Sequence, residues 1–64
     1  MLLLDQERVA SEKEELDQRI EKLFQFIKSP SMLDVAEAEQ SRLRSQLKAM
    51  ETYSAILGER IAHF

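Results

Sequence analysis

Cysteine is absent from the 64 residues, which removes disulfide staples and thiolate metal sites together and suits a reducing compartment. Glycine and proline occur once each, and no stretch alternates apolar and polar residues with period two. An all-β fold, which needs a turn every few residues, is therefore excluded. The single histidine, His63, cannot build a zinc site by itself. An excess of positive charge is also missing: 9 basic residues face 12 acidic ones, for a net charge of −3. The signs are mixed throughout, with five basic and seven acidic groups in residues 1–28 and four and five in residues 29–64. Without a basic face, binding to a DNA or RNA backbone is not the main task. Long apolar runs are lacking as well. Met1-Leu2-Leu3-Leu4 has no basic segment before it and is cut off by Asp5, Glu7 and Arg8, so it does not read as a signal peptide. Nothing approaches the ~20 apolar residues of a membrane span. The expectation is a soluble, cytoplasmic protein with no membrane or nucleic-acid partner and no cofactor.

What the chain does contain is helical period. Leu2, Val9, Leu16 and Leu23 recur every seven residues, with Ile20 and Ile27 in the offset positions. Glu15–Arg19 and Lys13–Asp17 lie at i,i+4 on the flank, where such pairs support a helix. Further on, Ala36, Leu43, Met50, Leu57 and Phe64 repeat with the same spacing, with Leu47 and Ile61 in the offset positions and Leu33 continuing the row backwards. These are two amphipathic, coiled-coil-like helices. Lys28-Ser29-Pro30-Ser31 separates them, because proline cannot continue a helix and restricts the residue before it. The second helix has two competing starts: Ser29 as cap with Pro30 at the first helical position, or Asp34 as cap with Glu37 three residues on. A short helical turn over 30–33 followed by the main helix reconciles them. The sequence thus predicts an all-α fold, a single antiparallel two-helix hairpin domain: helix about 2–28, turn 29–33, helix about 34–63. Gly58, inside the second helix, is either a tolerated glycine or a point of close approach.

A chain this short has a marginal core and usually needs a staple. With disulfides and metals gone, self-association remains. The second helix supports it, since Ala49, Tyr53 and Ile56 form a second apolar row beside the first, and Phe24 and Phe26 lie off the main stripe of the first helix. The expected assembly is a homodimer forming a four-helix bundle, or a larger even oligomer. Its interface is expected to hold Leu16, Ile20, Leu23, Ile27, Leu43, Leu47, Met50, Ile56, Leu57 and Ile61.

Catalytic constellations are not visible. The serines stand in no nucleophile-elbow setting, Glu14 and Glu15 are helix neighbours that point apart, and no glycine-rich phosphate loop exists. The chain reads as non-enzymatic. Polar residues do interrupt the seams, at Gln6, Lys13, Gln40 and Ser54. Folding the chain near residue 32 sets Ile20 against Leu43 and Leu16 against Leu47, with Lys13 near Met50 and Tyr53, and Arg8 and Val9 near Ser54. Arg8, Glu12, Lys13, Tyr53 and Ser54 then gather at one level, and Arg60 is a further candidate for ligand binding. A lysine there must be wet, paired with Glu12 or occupied by a ligand. One reading is a layer that fixes helix register. The other is a pocket in which arginine and lysine meet an anion and tyrosine stacks on a planar group, a combination that suits a nucleotide.

The stretches Glu7-Arg8-Val9-Ala10-Ser11-Glu12-Lys13-Glu14-Glu15-Leu16, Leu23 to Ile27, Glu39-Gln40-Ser41-Arg42-Leu43 and Met50 through Tyr53 to Leu57-Gly58-Glu59-Arg60-Ile61 resemble the family of small phage proteins labelled "crAss001_48 related". The resemblance spans most of the chain and carries no catalytic motif. It implies an accessory phage protein acting in the host cytoplasm and, by analogy, a counter-defence oligomer that sequesters a nucleotide immune signal of cyclic-nucleotide or ADP-ribose type. The competing expectation is a helical adaptor that inhibits a host or defence protein through an open apolar face around Phe24, Phe26 and Ile56.

Overall fold

A computed structural model describes the backbone from Leu2 to Phe64 and the side chains from Asp5 onward. Leu2, which opens the first heptad row, and the Met1–Leu4 run lie outside the described side chains. Helix α1 spans Leu2–Lys28, a 3-10 segment spans Pro30–Asp34, and helix α2 spans Glu37–Ala62. Among the described residues there is no strand. The two helices pack on one another as a helical hairpin, with Cα extents of 47 × 14 × 14 Å. That thickness holds one seam between two helices and no enclosed interior.

The seam shows why the heptad leucines fall where they do. Val9, Leu16 and Leu57 are buried, Leu57 completely, and Ile20, Met50 and Ile61 pack against them half-buried. Leu23, Ile27, Leu43 and Leu47 are half-buried along the rest of the seam. Burial is mostly partial because each helix has a single neighbour, so only the side chain aimed along the line of centres is covered. Ile56 lies outside the seam and is 49% exposed.

The turn departs from the sequence reading in three ways. The Asp34–Glu37 capping box does not form: Asp34 ends the 3-10 segment, Val35 and Ala36 are extended in ψ, and Ala36 caps α2 without a side-chain hydrogen bond. Gln40 ties this stretch down instead, its amide donating to Met32 O (3.0 Å) and Val35 O (2.8 Å). The polar seam residue thus answers carbonyls that the irregular turn leaves open. Secondly, Leu33 does not extend the apolar row. It is 82% exposed, and Met32 is buried in its place. The tighter 3-10 winding from Pro30 changes which side chain turns inward. Thirdly, Ala36 caps the helix and is exposed rather than joining the seam. At the end of α1, Ser29 turns back and its hydroxyl donates to Phe26 O (2.7 Å), while the Lys28 ammonium sits 4.8 Å from the centre of the Phe24 ring, a cation–π contact.

Candidate functional site

Ser54 is the one buried polar residue among those described, and what surrounds it explains why burial is tolerated there. The Lys13 ammonium donates to Ser54 Oγ (2.9 Å) and to Asp17 Oδ2 (2.9 Å), and the Ser54 hydroxyl donates to Asp17 Oδ1. Each group has its partner, so no polar atom in this layer is stranded. Lys13 and Asp17 sit one turn apart on α1 and bracket Ser54 of α2. The hydrogen bonds from Ser54 and then Lys13 hold the Asp17 carboxyl below its ordinary value of 3.8, against a smaller opposing push from desolvation. Gly58, one turn beyond Ser54, borders the lysine stem: a β-carbon there would lie 3.4 Å from Lys13 Cε.

This cluster corrects the helix register expected from folding near residue 32. Lys13 and Asp17, not Arg8 and Val9, meet Ser54, a shift of roughly one to two turns. The connection is a 3-10 segment followed by two extended residues rather than a tight turn, which sets α2 further along α1. Lys13 is paired with Asp17 and not with Glu12. The other i,i+4 pair expected on α1, Glu15–Arg19, is not among the ion pairs of the described residues, which are Lys13–Asp17 and Glu39–Arg42.

The five residues that sequence reasoning gathers at one level, and Arg60 as a sixth pocket candidate, do not form one cluster. At ~100° per residue, Lys13 and Asp17 lie to one side of the inward Leu16 direction on α1, and Arg8, Glu12, Glu15 and Arg19 to the other. On α2, Ser54 and Gly58 lie to one side of Leu57, and Ala49, Tyr53, Ile56 and Arg60 to the other. The Lys13–Ser54 bond shows that the first two sides coincide, so the other two coincide as well. Lys13 and Ser54 therefore share one lateral face of the hairpin, and Arg8, Glu12, Tyr53 and Arg60 share the opposite one.

The two faces differ in chemistry. On the Lys13 face, a shallow groove of about 460 Å³ is lined by Ala10, Lys13, Glu14, Asp17, Gln18, Glu21 and Ile61. Three of its lining residues are carboxylates, against one lysine that is already paired with Asp17. On the opposite face a second shallow groove of about 370 Å³ runs along α1, lined by Glu7, Arg8, Ser11, Glu12 and Glu15. On the same side of the hairpin α2 carries Tyr53, 43% exposed, Ile56, 49% exposed, and the exposed Arg60. Neither Arg8 nor Arg60 has a carboxylate within ion-pair distance among the described residues. The Arg8 groove is as acidic as the other, with three carboxylates to one arginine; what sets the face apart is that Arg8 and Arg60 carry no ion pair among the described residues and share it with an exposed aromatic ring, groups that can hold a planar, anionic molecule. No group of three His, Cys, Asp or Glu residues able to hold a metal occurs among the described residues. None of the described helices is long and apolar enough to cross a membrane.

Sequence reasoning missed Asp17 as a member of the polar layer, although the i,i+4 spacing to Lys13 was its signal. It also missed the division into two faces, which only the Ser54 contact reveals.

A family model described as Sequestin matches residues 4–63. The chain is 38% identical over 63 residues to an uncharacterized 7.5 kDa protein of the denB-rIIB intergenic region of Enterobacteria phage T4, covering 98% of each chain. No solved structure matches. The expectation of a small phage protein family is met, while the "crAss001_48 related" label is not the one that matches.

Proposed function

This chain belongs to the Sequestin family, and we propose that it is a non-enzymatic phage accessory protein whose self-associated form binds and sequesters a nucleotide-type immune signal in the host cytoplasm. The observation that carries this reading is the face holding Arg8, Glu12, Tyr53 and Arg60. With the helices of a single hairpin domain antiparallel, the Lys13–Ser54 bond sets Arg8 within one or two residues of the level of Arg60, each residue rising ~1.5 Å. The two unpaired guanidiniums then bracket phosphate oxygens, Tyr53 stacks on a base about two turns below, and Glu12 accepts from sugar hydroxyls. Lys13 and Ser54, satisfied by Asp17 and each other, hold the helices in register and do not contact the ligand. The phage relative and the family's name support a sequestering role without naming the ligand.

Native mass spectrometry of the purified protein with cyclic di- and trinucleotides and ADP-ribose derivatives tests it. A discrete oligomer that gains a stoichiometric ligand mass is expected. Arg8→Ala should abolish that gain with the assembly intact, and Lys13→Met should retain it. Failure of every ligand in the panel to bind would remove this reading. A second reading, inhibition of a host or defence protein, draws on Phe24, Phe26 and Ile56, 39%, 39% and 49% exposed, with Phe26 and Ile56 on one side of the hairpin and Phe24 on the other. Phe26 lies toward the turn end, away from Arg8 and Arg60, and binding through it would survive loss of Arg8.

A further inference from the structure

Among the described carboxylates only Glu12 and Glu39 are half-buried, and the rest are exposed. Glu39 is paired with Arg42. Glu12 has no ion pair and takes part in no side-chain hydrogen bond among the described residues. It lies one turn before Leu16, the most buried residue of α1, so its stem covers the edge of the seam. No buried side-chain oxygen lacks a partner, so the Glu12 carboxylate itself is open to solvent, on the face of Arg8, Tyr53 and Arg60. An acceptor fixed by its stem and empty at its tip is placed to take a donor from outside the chain.

With the helices antiparallel, the Lys13–Ser54 bond sets the levels along this face. Arg8 and Arg60 stand within about 2 Å of one level, Glu12 about 6 Å further toward the turn, and Tyr53 about 9 Å, at ~1.5 Å per residue. Two cations, an acceptor and an aromatic ring thus follow one another in the order phosphate, sugar, base. The groove along α1 agrees. Apart from Arg8 it offers only acceptors and a hydroxyl, from Glu7, Ser11, Glu12 and Glu15. Phosphate suits its arginine end alone, and the rest suits a group that donates hydrogen bonds. Glu7 and Glu15 are exposed, which leaves Glu12 as the carboxylate with a fixed stem.

We propose that Glu12 is the specificity-determining residue of this site, its carboxylate accepting from the 2′-hydroxyl of a ribose, so that the protein takes ribonucleotides and discriminates against their 2′-deoxy counterparts. The proposal rests on the sequestration reading for the presence of a nucleotide and adds which part of it is read. Glu12 is one turn from Arg8, so its charge opposes a phosphate held there. A ribose offsets that opposition with a charge-assisted hydrogen bond. A deoxyribose leaves the acceptor empty and the repulsion in place, which is how a site built for a hydroxyl rejects the analogue that lacks it.

Calorimetric titration of the full chain compares ADP with 2′-deoxy-ADP, and 3′,3′-cyclic di-AMP with its bis-2′-deoxy form. The wild type should bind the ribose member of a pair at least about tenfold more tightly, the yield of one hydrogen bond to a charged acceptor. Glu12→Met keeps an unbranched stem and good helix propensity. It should abolish the preference while binding the deoxy ligand at least as well as the wild type does, with helicity unchanged. Lys13→Met, on the other face, should keep the wild-type preference. Equal affinities in the wild type, or a preference that survives Glu12→Met, would overturn the role of Glu12 and leave the nucleotide site at Arg8 standing. So would loss of both ligands in a fully helical Glu12→Met. If neither pair binds the wild type the proposal falls, and the sequestration reading falls with it only when the rest of the nucleotide panel is silent too.

Discussion

Gly58→Ala separates a glycine that is merely tolerated from one that something must approach. Within helix α2 a glycine costs about 1 kcal/mol relative to alanine, through backbone entropy. A β-carbon at this position would meet Lys13 Cε at 3.4 Å, an ordinary van der Waals contact with the far end of a flexible side chain. Nothing opposes the propensity gain, so Gly58→Ala should stabilise the hairpin by about 0.5–1 kcal/mol. For a domain of this size each kcal/mol corresponds to roughly 4–8 °C in Tm, so a rise of a few degrees is expected. Gly58→Leu should reverse the sign. The larger side chain fills the path of the lysine stem and forces Lys13 away from Ser54, losing a hydrogen bond worth about 1 kcal/mol and leaving the buried hydroxyl with Asp17 alone. Thermal unfolding followed by circular dichroism, at one fixed protein concentration because assembly shifts the midpoint, reads both variants. A Gly58→Ala protein that melts below the wild type would refute the reasoning. It would mean that another surface lies against Gly58, and the assembly would then use the Lys13 face.

Leu57→Ala empties the one fully buried side chain and should cost about 3 kcal/mol. That is a large part of the whole stability of a chain this short, so the variant should show much reduced helicity at 25 °C. Gln40→Leu removes the two hydrogen bonds to Met32 O and Val35 O and should cost roughly 1–2 kcal/mol, seen as a lower urea midpoint. The depressed pKa of Asp17 means that its ionised form favours the folded state. That contribution is complete above the ordinary value of 3.8 and is lost as pH falls through the lower folded value. Between pH 7 and 5 the group should therefore add no slope, and Asp17→Asn should flatten the acid limb below pH 4 in a titration of stability; an unchanged limb would remove Asp17 from the account.

The sequence exposed the helices because heptad spacing and a lone Pro30 are local signals. Leu16 and Leu57 could be placed in the seam from their spacing alone, as apolar burial follows directly from helical period. The turn was not legible in the same way. Whether Asp34 or Ala36 caps α2 depends on how a 3-10 segment and two extended residues pack, and Gln40 reaches back to them from within α2 itself. That choice propagates, since moving the start of α2 changes which residue meets Lys13 and turns a predicted single cluster into two opposed faces. Residue types in the candidate site were visible; their grouping depended on a register that no local pattern encodes. For the same reason Tyr53 and Ser54, neighbours in sequence, fall on opposite faces of the hairpin.

The clamp at the turn has a consequence for the order in which the molecule forms and opens. Ser29 to Phe26 and Gln40 to Met32 and Val35 are contacts between residues close in sequence, so closing them costs little chain entropy. Folding should start there and zip away from it, and local opening should begin at the far end. Arg8 and Arg60 stand at that far end. The amides of their turns should exchange with solvent first in the free protein and gain the most protection when an anion is bound. Capturing a ligand would then also be the step that fastens the open end of the hairpin.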